Sequence, residues 1–453
     1  MSEAATTHET TPAHLERITE VLGSGTQQQV RQLLNALHPA EIAGLLESLP
    51  PPQREAVWEL VPSELDGDVL LHVNEEVRAG LLGGMDSSEI LAATSGMDVD
   101  DLADLLQELP EALLSEVLRA MDRQNRKRVE EVLSYPEDTA GGLMNTDVVT
   151  VRADVTLDVV LRYLRMRGTL PELTDTLFVL SRGERYVGTL PLQALVTKAL
   201  DSTVAEVMRR DVDAVPVELF QDQIARIFQD RDLVSAPVVD KDGRLLGRIT
   251  IDDVVDVIRE EADHTILSTV GLDEDDDMFA PVVVSSRRRA LWLGINLITA
   301  FMAAWVIGLF EATIERVVAL AVLMPVVASM GGIAGSQTLT LVIRGMATGR
   351  VNTSNVRWLF NKEMAVGALN GVLWALLIAL VAIAWFHDLR IGGIIAVAIV
   401  LNLLAAALSG ITIPLLLKRL GIDPALAGSV VLTTVTDIVG FMAFLGLATL
   451  LLI

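Results

Sequence analysis

Five apolar runs, at residues 290–310, 317–343, 364–386, 391–417 and 425–453, govern what this chain can fold into. Each is long enough to cross the roughly 30 Å hydrocarbon core of a bilayer as a helix. In lipid, every backbone polar group must be satisfied internally, which leaves helices as the structure for runs of this kind. The last run, read from Ser429 as SVVLTTVTDIVGFMAFLGLATLLLI, holds one ionisable residue, Asp437. A carboxylate at mid-membrane depth costs about 2.5–3.5 kcal/mol on insertion scales. Asp437 is therefore expected to face a helix bundle or water. It is either a paired or protonated structural acid or, as intramembrane acids commonly are, part of a cation pathway.

The second run, LMPVVASMGGIAGSQTLTLVIRG over 323–345, reads as irregular. Pro325 removes a backbone hydrogen bond, and Gly331, Gly332 and Gly335 permit a break or a close helix contact. Ser336, Gln337, Thr338 and Thr340 place polar groups at membrane depth. Broken backbone survives there only when it is buried in protein or lines water. The competing reading is a small-residue helix–helix contact.

Charge divides the chain in two. After Ser286 there are eleven Lys and Arg against six Asp and Glu, so that half is +5; with −25 overall, residues 1–286 carry −30. An acidic extramembrane half argues against nucleic acid and for cations as partners. Arg287 to Arg289 precede the first run, Arg344, Arg350, Arg357 and Lys362 separate the second from the third, and Lys418 and Arg419 separate the fourth from the fifth. The two remaining loops hold only Arg316 and Arg390. The positive-inside rule then predicts a multi-pass cell-membrane protein with cytoplasmic N-terminal domains and its C-terminus outside. The opening MSEAATTHET has no apolar run, so no cleavable signal peptide is expected. Without cysteine, disulfides and thiolate zinc sites are excluded.

The acidic half contains two repeats. AEIAGLLESLP at 40–50 returns as DDLADLLQELP at 100–110, with a weaker copy, SSEILAATSGM, at 87–97. Leu45, Leu46 and Leu49 match Leu105, Leu106 and Leu109 on a helix face, and Pro50 and Pro110 punctuate successive helices. Repeated helical pairs predict a small superhelical stack. Its acids, Asp98, Asp100, Asp101 and Asp104, are by default a solvated face unless another domain covers them. The second repeat pairs MNTDVVTV at 144–151 with MRRDVDAV at 208–215. Each copy continues as helix, strand, turn, strand and helix, with Lys241-Asp242-Gly243 supplying turn chemistry. Both copies resemble cystathionine-β-synthase (CBS) domains in tandem. That resemblance implies an adenine-nucleotide site using a Thr and an Asp after the last strand. Copy two has Thr250 and Asp253 there; copy one has Pro191 and Ala194. The Asp273–Asp277 acid run that follows reads most simply as a solvated loop; a low-affinity cation site is the lesser alternative, because adjacent acids without a Gly-turned loop lack chelating geometry.

With these features in place, PVVASMGGIAGSQTLTLVIRG, the closing DPALAGSVVLTTVTDIVG and SYPEDTAGGLM at 134–144 resemble the MgtE-type magnesium channels over nearly the whole chain. The resemblance implies a multidomain α + α/β fold with an all-α membrane domain: a disordered N-terminus at 1–11, a superhelical helical N-domain at 12–135, CBS domains at 136–200 and 201–263, a connecting helix or linker at 264–289, and a five-helix transmembrane pore domain at 290–453. It makes Asp437 the pore carboxylate and Asp423 an acid at the cytoplasmic mouth. It also implies Asp100, Asp104, Asp232, Asp253, Asp256 and Glu261 as regulatory Mg²⁺ ligands, with ATP as a further candidate ligand. Ile333 and Ser429 stand where the family commonly has Asn, and His264 and Thr265 replace an acidic pair.

Mg²⁺ dehydrates reluctantly and is held through its waters by one or two carboxylates with other oxygens. One Asp per protomer is thin for that, so a homodimer pairing two Asp437 carboxylates is expected, with Thr433, Thr434 and Thr436 as polar neighbours. The leading expectation is Mg²⁺ uptake through a channel that cytoplasmic Mg²⁺ closes. A carrier of Mn²⁺ or Co²⁺ is the nearest alternative, and a non-transporting membrane-anchored nucleotide sensor the next. Neither a nucleophile–base–orienter set nor a phosphate-binding loop is present to suggest an enzyme.

Overall fold

The computed structural model describes residues 27–272, 277–352 and 354–453. The N-terminal stretch expected to be disordered, the first residues of the helical domain and Asp273–Asp276 of the acid run lie outside the described residues. The chain forms two compact units, residues 1–262 with 275–281, and residues 263–274 with 282–453.

Among the described residues of the first unit, nine short helices come first: α1 (Gln27–Leu34), α2 (Pro39–Glu47), α3 (Pro51–Trp58), α4 (Asp66–His72), α5 (Glu75–Leu82), α6 (Ser87–Ala93), α7 (Val99–Gln107), α8 (Glu111–Ala120) and α9 (Arg123–Val132). Their starts follow local chemistry. Pro39 and Pro51 occupy first-turn positions whose N–H has no helical partner. Asn74 accepts from the Val77 N–H at 2.9 Å, and Asp86 forms a reciprocal cap with Glu89. The repeated leucines are buried in both copies, Leu45, Leu46, Leu105 and Leu106 on α2 and α7, and Leu49 and Leu109 two residues past their ends.

Two three-stranded sheets follow with the same topology. β1 (Thr150–Arg152), α10 (Leu157–Arg167), β2 (Thr176–Leu180), β3 (Tyr186–Pro191) and α11 (Leu192–Thr197) form the first copy. After α12 (Val204–Val207), β4 (Val215–Pro216), α13 (Gln221–Arg231), β5 (Ser235–Val239), β6 (Leu245–Thr250) and α14 (Ile251–Leu267) form the second. Each sheet has one parallel and one antiparallel pairing, and each slips register at the equivalent place, after Val179 and after Val238. Gly243 turns at φ +76°, while Asp240 accepts from the Asp242 and Arg244 N–H groups at 2.8 Å.

The helical domain shares one hydrophobic core with the second sheet copy, whereas the first copy has its own. The motif SYPEDTAGGLM makes that junction. Ala140 and Gly141 donate to Leu219 and Val217 carbonyls at 2.8 and 3.0 Å, and Asn145 pairs with Arg248 in both directions. Gly141 is required because a Cβ there would overlap the Tyr135 ring.

One sequence expectation fails here. Asp277 is no solvated residue: it is buried, its Oδ2 pairs with Arg54 at 2.7 Å, and its N–H donates to Glu76 at 2.7 Å. Arg54 also donates to the Leu46 and Leu49 carbonyls at 2.9 and 3.1 Å. The fork of donors on one guanidinium satisfies three acceptors at once, which makes burial of the pair tolerable.

The second unit contains α15 (Val282–Gly308), a short α16 (Glu311–Arg316), α17 (Ala319–Ala347), α18 (Val356–Phe386), α19 (Leu389–Arg419) and α20 (Pro424–Leu452). Five of these are long and apolar enough to cross a membrane. α15 takes in Arg287–Arg289, starting before the apolar run itself. α19 packs against α17, α18 and α20 and is the most buried of the five. α17 is one continuous helix, which corrects the expected break. Pro325 falls in its second turn, where the missing N–H costs a single bond. Gly331 and Gly335 serve close packing instead, against Asn402 and Leu432.

Candidate functional site

An open groove of about 990 Å³ runs between α17 and α20. Ser329, Gly332, Ser336 and Thr340 line it from α17, and Thr433 and Asp437 from α20. These positions recur every three or four residues, so each helix presents one stripe to the groove. Ile333 also lines it and is exposed, with Ala328 and Leu341 as further apolar lining beside the hydroxyls. Asp437 is half-buried, and among the described residues nothing donates to its carboxylate. That sets aside a paired structural acid. Of its expected polar neighbours, Thr433 faces the groove, whereas Thr436 is fully buried and bonded to the Thr433 carbonyl at 3.0 Å. Sequence reasoning missed Ser329, although its helical spacing from Ser336 and Thr340 was a usable signal.

Asp423 caps α20, accepting from Ala425 and Leu426 N–H groups at 2.9 and 3.2 Å. His264 Nε2 lies 3.1 Å from its Oδ2, so an imidazole occupies that carboxylate. Ser429 donates to the Thr269 carbonyl at 3.1 Å, a structural use of its hydroxyl.

The acidic half builds a second assembly between α7 and α14. Asp100 is 4% exposed, against the expectation of a solvated face, because the second sheet copy covers it. Burial first, then Asp253, Asp101 and Asp98, pushes its carboxyl well above the usual range. Burial, with Glu137, Asp253 and Asp101, raises Asp104 to about 8 against the opposing pull of Arg78. Asp253 is raised to about 7 by burial and Asp252, although Thr250 donates to it from its hydroxyl at 3.0 Å and its N–H at 3.3 Å. Asp101 is raised to about 6 by burial, then by Asp98, Asp252 and Asp256. Asp256 is itself raised by burial, with His72 and Arg259 opposing. The structure therefore brings Asp100, Asp104, Asp253 and Asp256 to one region. Asp232 is instead exposed, ending α13 in the left-handed conformation, and Glu261 is exposed further along α14.

Oδ1 of Asp100 and Oδ1 of Asp104 are buried without a hydrogen-bond partner. Such orphaned acceptors suit a proton or a cation. The donor set is all oxygen, as a hard ion such as Mg²⁺ prefers. Among the described residues, no three His, Asp or Glu side chains converge closely enough to enclose a metal ion by themselves. An ion that keeps several waters does not need such a cage.

Comparison with known proteins bears on both assemblies. A family model described as "Divalent cation transporter" matches residues 324–447, one described as "MgtE intracellular N domain" matches 37–138, and CBS models match 140–201 and 204–260. The "Magnesium transporter MgtE" of Thermus thermophilus is 33% identical over 438 residues, covering 96% of this chain and 97% of the relative. The chain belongs to the MgtE family. The MgtE of Bacillus subtilis is 28% identical, with 96% of each chain covered. A solved cytosolic domain of the Mg²⁺ channel MgtE in complex with ATP is 32% identical and covers 54% of this chain and 99% of its own, with a TM-score of 0.49. As an MgtE-family chain, this protein combines the helical N-domain, the CBS pair and five membrane-competent helices.

Proposed function

We propose that the protein is a Mg²⁺ channel of the cell membrane, and that the groove between α17 and α20 is its ion path. The observation that carries this reading is the unpaired Asp437 carboxylate facing a groove that also carries the hydroxyls of Ser329, Ser336, Thr340 and Thr433. The names of the relatives, magnesium transporters, support Mg²⁺ as the cargo. A hydrated Mg²⁺ meets one or two carboxylates and neutral oxygens through its waters. A homodimer would bring two Asp437 residues to one axis, where a divalent ion relieves their mutual repulsion. The N-terminal domains are cytoplasmic and the C-terminus outside.

Regulation belongs to the α7–α14 cluster. Asp100, Asp104, Asp253 and Asp256 would hold cytoplasmic Mg²⁺, which replaces protons and favours the packed arrangement of N-domain and second CBS copy, closing the channel. Asp232 and Glu261 are peripheral contributors to the same acidic field. Asp423, paired with His264, is an acid of the cytoplasmic mouth. ATP is a candidate ligand through Thr250 and Asp253; sharing Asp253 would set it in competition with the regulatory cation.

Uptake into proteoliposomes with Mg²⁺, Mn²⁺ and Co²⁺ in turn tests the cargo. Uptake led by Mg²⁺ and lost in Asp437→Ala supports the reading. No uptake of any ion would leave a membrane-anchored sensor instead.

A further inference from the structure

Asn402 is the only polar side chain between Ile391 and Leu408 on α19, and it is fully buried. Its Nδ2 donates to the Val327 carbonyl of α17 at 2.8 Å. The amide orientation follows from chemistry, since a carbonyl can only accept. The other end of the amide, Oδ1, is buried with no partner. Leaving such an acceptor unsatisfied is destabilising, so an apolar residue of similar volume would serve stability better.

Both groove walls close on this one amide. On α17, a Cβ at Gly331 would overlap the Asn402 amide. On α20, a Cβ at Gly440 would stand 2.8 Å from Asn402 Nδ2. Gly440 is three residues beyond Asp437, one helical neighbour away, while Val327 and Gly331 lie two positions to either side of Ser329 and Gly331 adjoins Gly332 in sequence. Asn402 itself lies outside the groove lining.

We propose that Asn402 is a positioning residue for the ion path: by bonding Val327 and filling the notch between Gly331 and Gly440, it fixes the separation of the α17 stripe from Asp437. This deepens the channel reading and rests on it. An ion bound through its waters is sensitive to that separation, because the waters must bridge both walls. The polar bond also fixes the rotational setting of α17, which a purely apolar contact between helices does less well.

The test uses the full chain, which has no native cysteine, in proteoliposomes. Asn402→Ala and Gly440→Ala disturb the same contact from two sides. Each is expected to raise the half-saturating Mg²⁺ concentration at least fivefold and to change the Mg²⁺ to Co²⁺ preference. The double variant is expected to be no worse than the more severe single one, within about twofold, because both changes break one interaction. Spin labels on Ile333→Cys and Thr433→Cys should show a broadened distance distribution in each variant. Where Asn402→Ala fails to assemble, Asn402→Leu, which keeps the volume and loses the bond, takes its place. Effects that multiply in the double variant, or label distances that stay unchanged, overturn the proposal. If Asp437→Ala leaves flux intact, the channel reading of the groove fails, yet the label distances still decide whether Asn402 sets its width.

Discussion

Among single residues, Asp437 and Asp277 are both acids in unfriendly surroundings, but they act differently. Asp437 keeps its carboxylate open to the groove, without a donor among the described residues. Asp437→Ala removes the one acidic side chain in the groove lining, and hydroxyls do not replace a net charge. Mg²⁺ flux is expected to fall at least tenfold with the detergent-solubilised protein still assembled; unchanged flux would remove Asp437 from the path. Asp277 instead is locked to Arg54, with the two side chains 3% and 8% exposed. Asp277→Ala leaves that guanidinium buried and unpaired, at a cost of about 3–5 kcal/mol. Denaturant unfolding of the full chain, followed in its extramembrane half, should register that loss; a change under 1 kcal/mol would mean that water reaches Arg54. The pair was invisible in the sequence because 223 positions separate its members.

Pairs of elements carry the pH response. In the packed state Asp104 stands near 8, Asp253 near 7 and Asp101 near 6. An unstructured Asp stands near about 3.9. The packed α7–α14 interface therefore holds more protons than the separated surfaces across that interval. Its stability is fully present below the lower value and is lost as pH rises through 6 to 8. Without divalent cation, amide exchange protection of α7 should drop between pH 6 and 8, and millimolar Mg²⁺ should restore it. Protection that is flat with pH, or indifferent to Mg²⁺ at pH 8, would separate the cluster from regulation. At the same scale, Glu363 on α18 is buried within the membrane helices and takes bonds from Thr338 at 3.2 Å and Lys362 at 2.6 Å. The Thr338 bond ties α17 to α18 on the side of a second, smaller cavity of about 150 Å³.

Taken whole, the chain joins an acidic half to an apolar half of five membrane-competent helices, and the proposed function assigns sensing to the first and conduction to the second. Removing residues 1–135 deletes α7 and with it half of the acidic interface. Uptake by that truncated protein is expected to stay open at internal Mg²⁺ concentrations that close the full chain; normal closure would mean that the N-domain is dispensable for the response. A homodimer is expected by native mass spectrometry, and a conducting monomer would contradict the paired-carboxylate path.

Periodicity and repetition made much of this architecture legible. Five apolar runs, leucines repeating at 60-residue offset and two copies of a strand–helix pattern are local properties, and hydrophobic burial turns them into helices and sheets wherever the chain places them. Asp437 was legible for the same reason: an isolated charge in an apolar run is conspicuous. What local pattern cannot encode is which surfaces meet. The acids of α7 read as a solvated face until the second CBS copy covers them, and Gly331 reads as a helix break until Asn402 fills the space beside it. Whether a polar group is solvated, paired or orphaned depends on its neighbours in space. Those neighbours come from distant parts of the chain, so tertiary packing alone decided the environments of Asp100, Asp277 and Asn402.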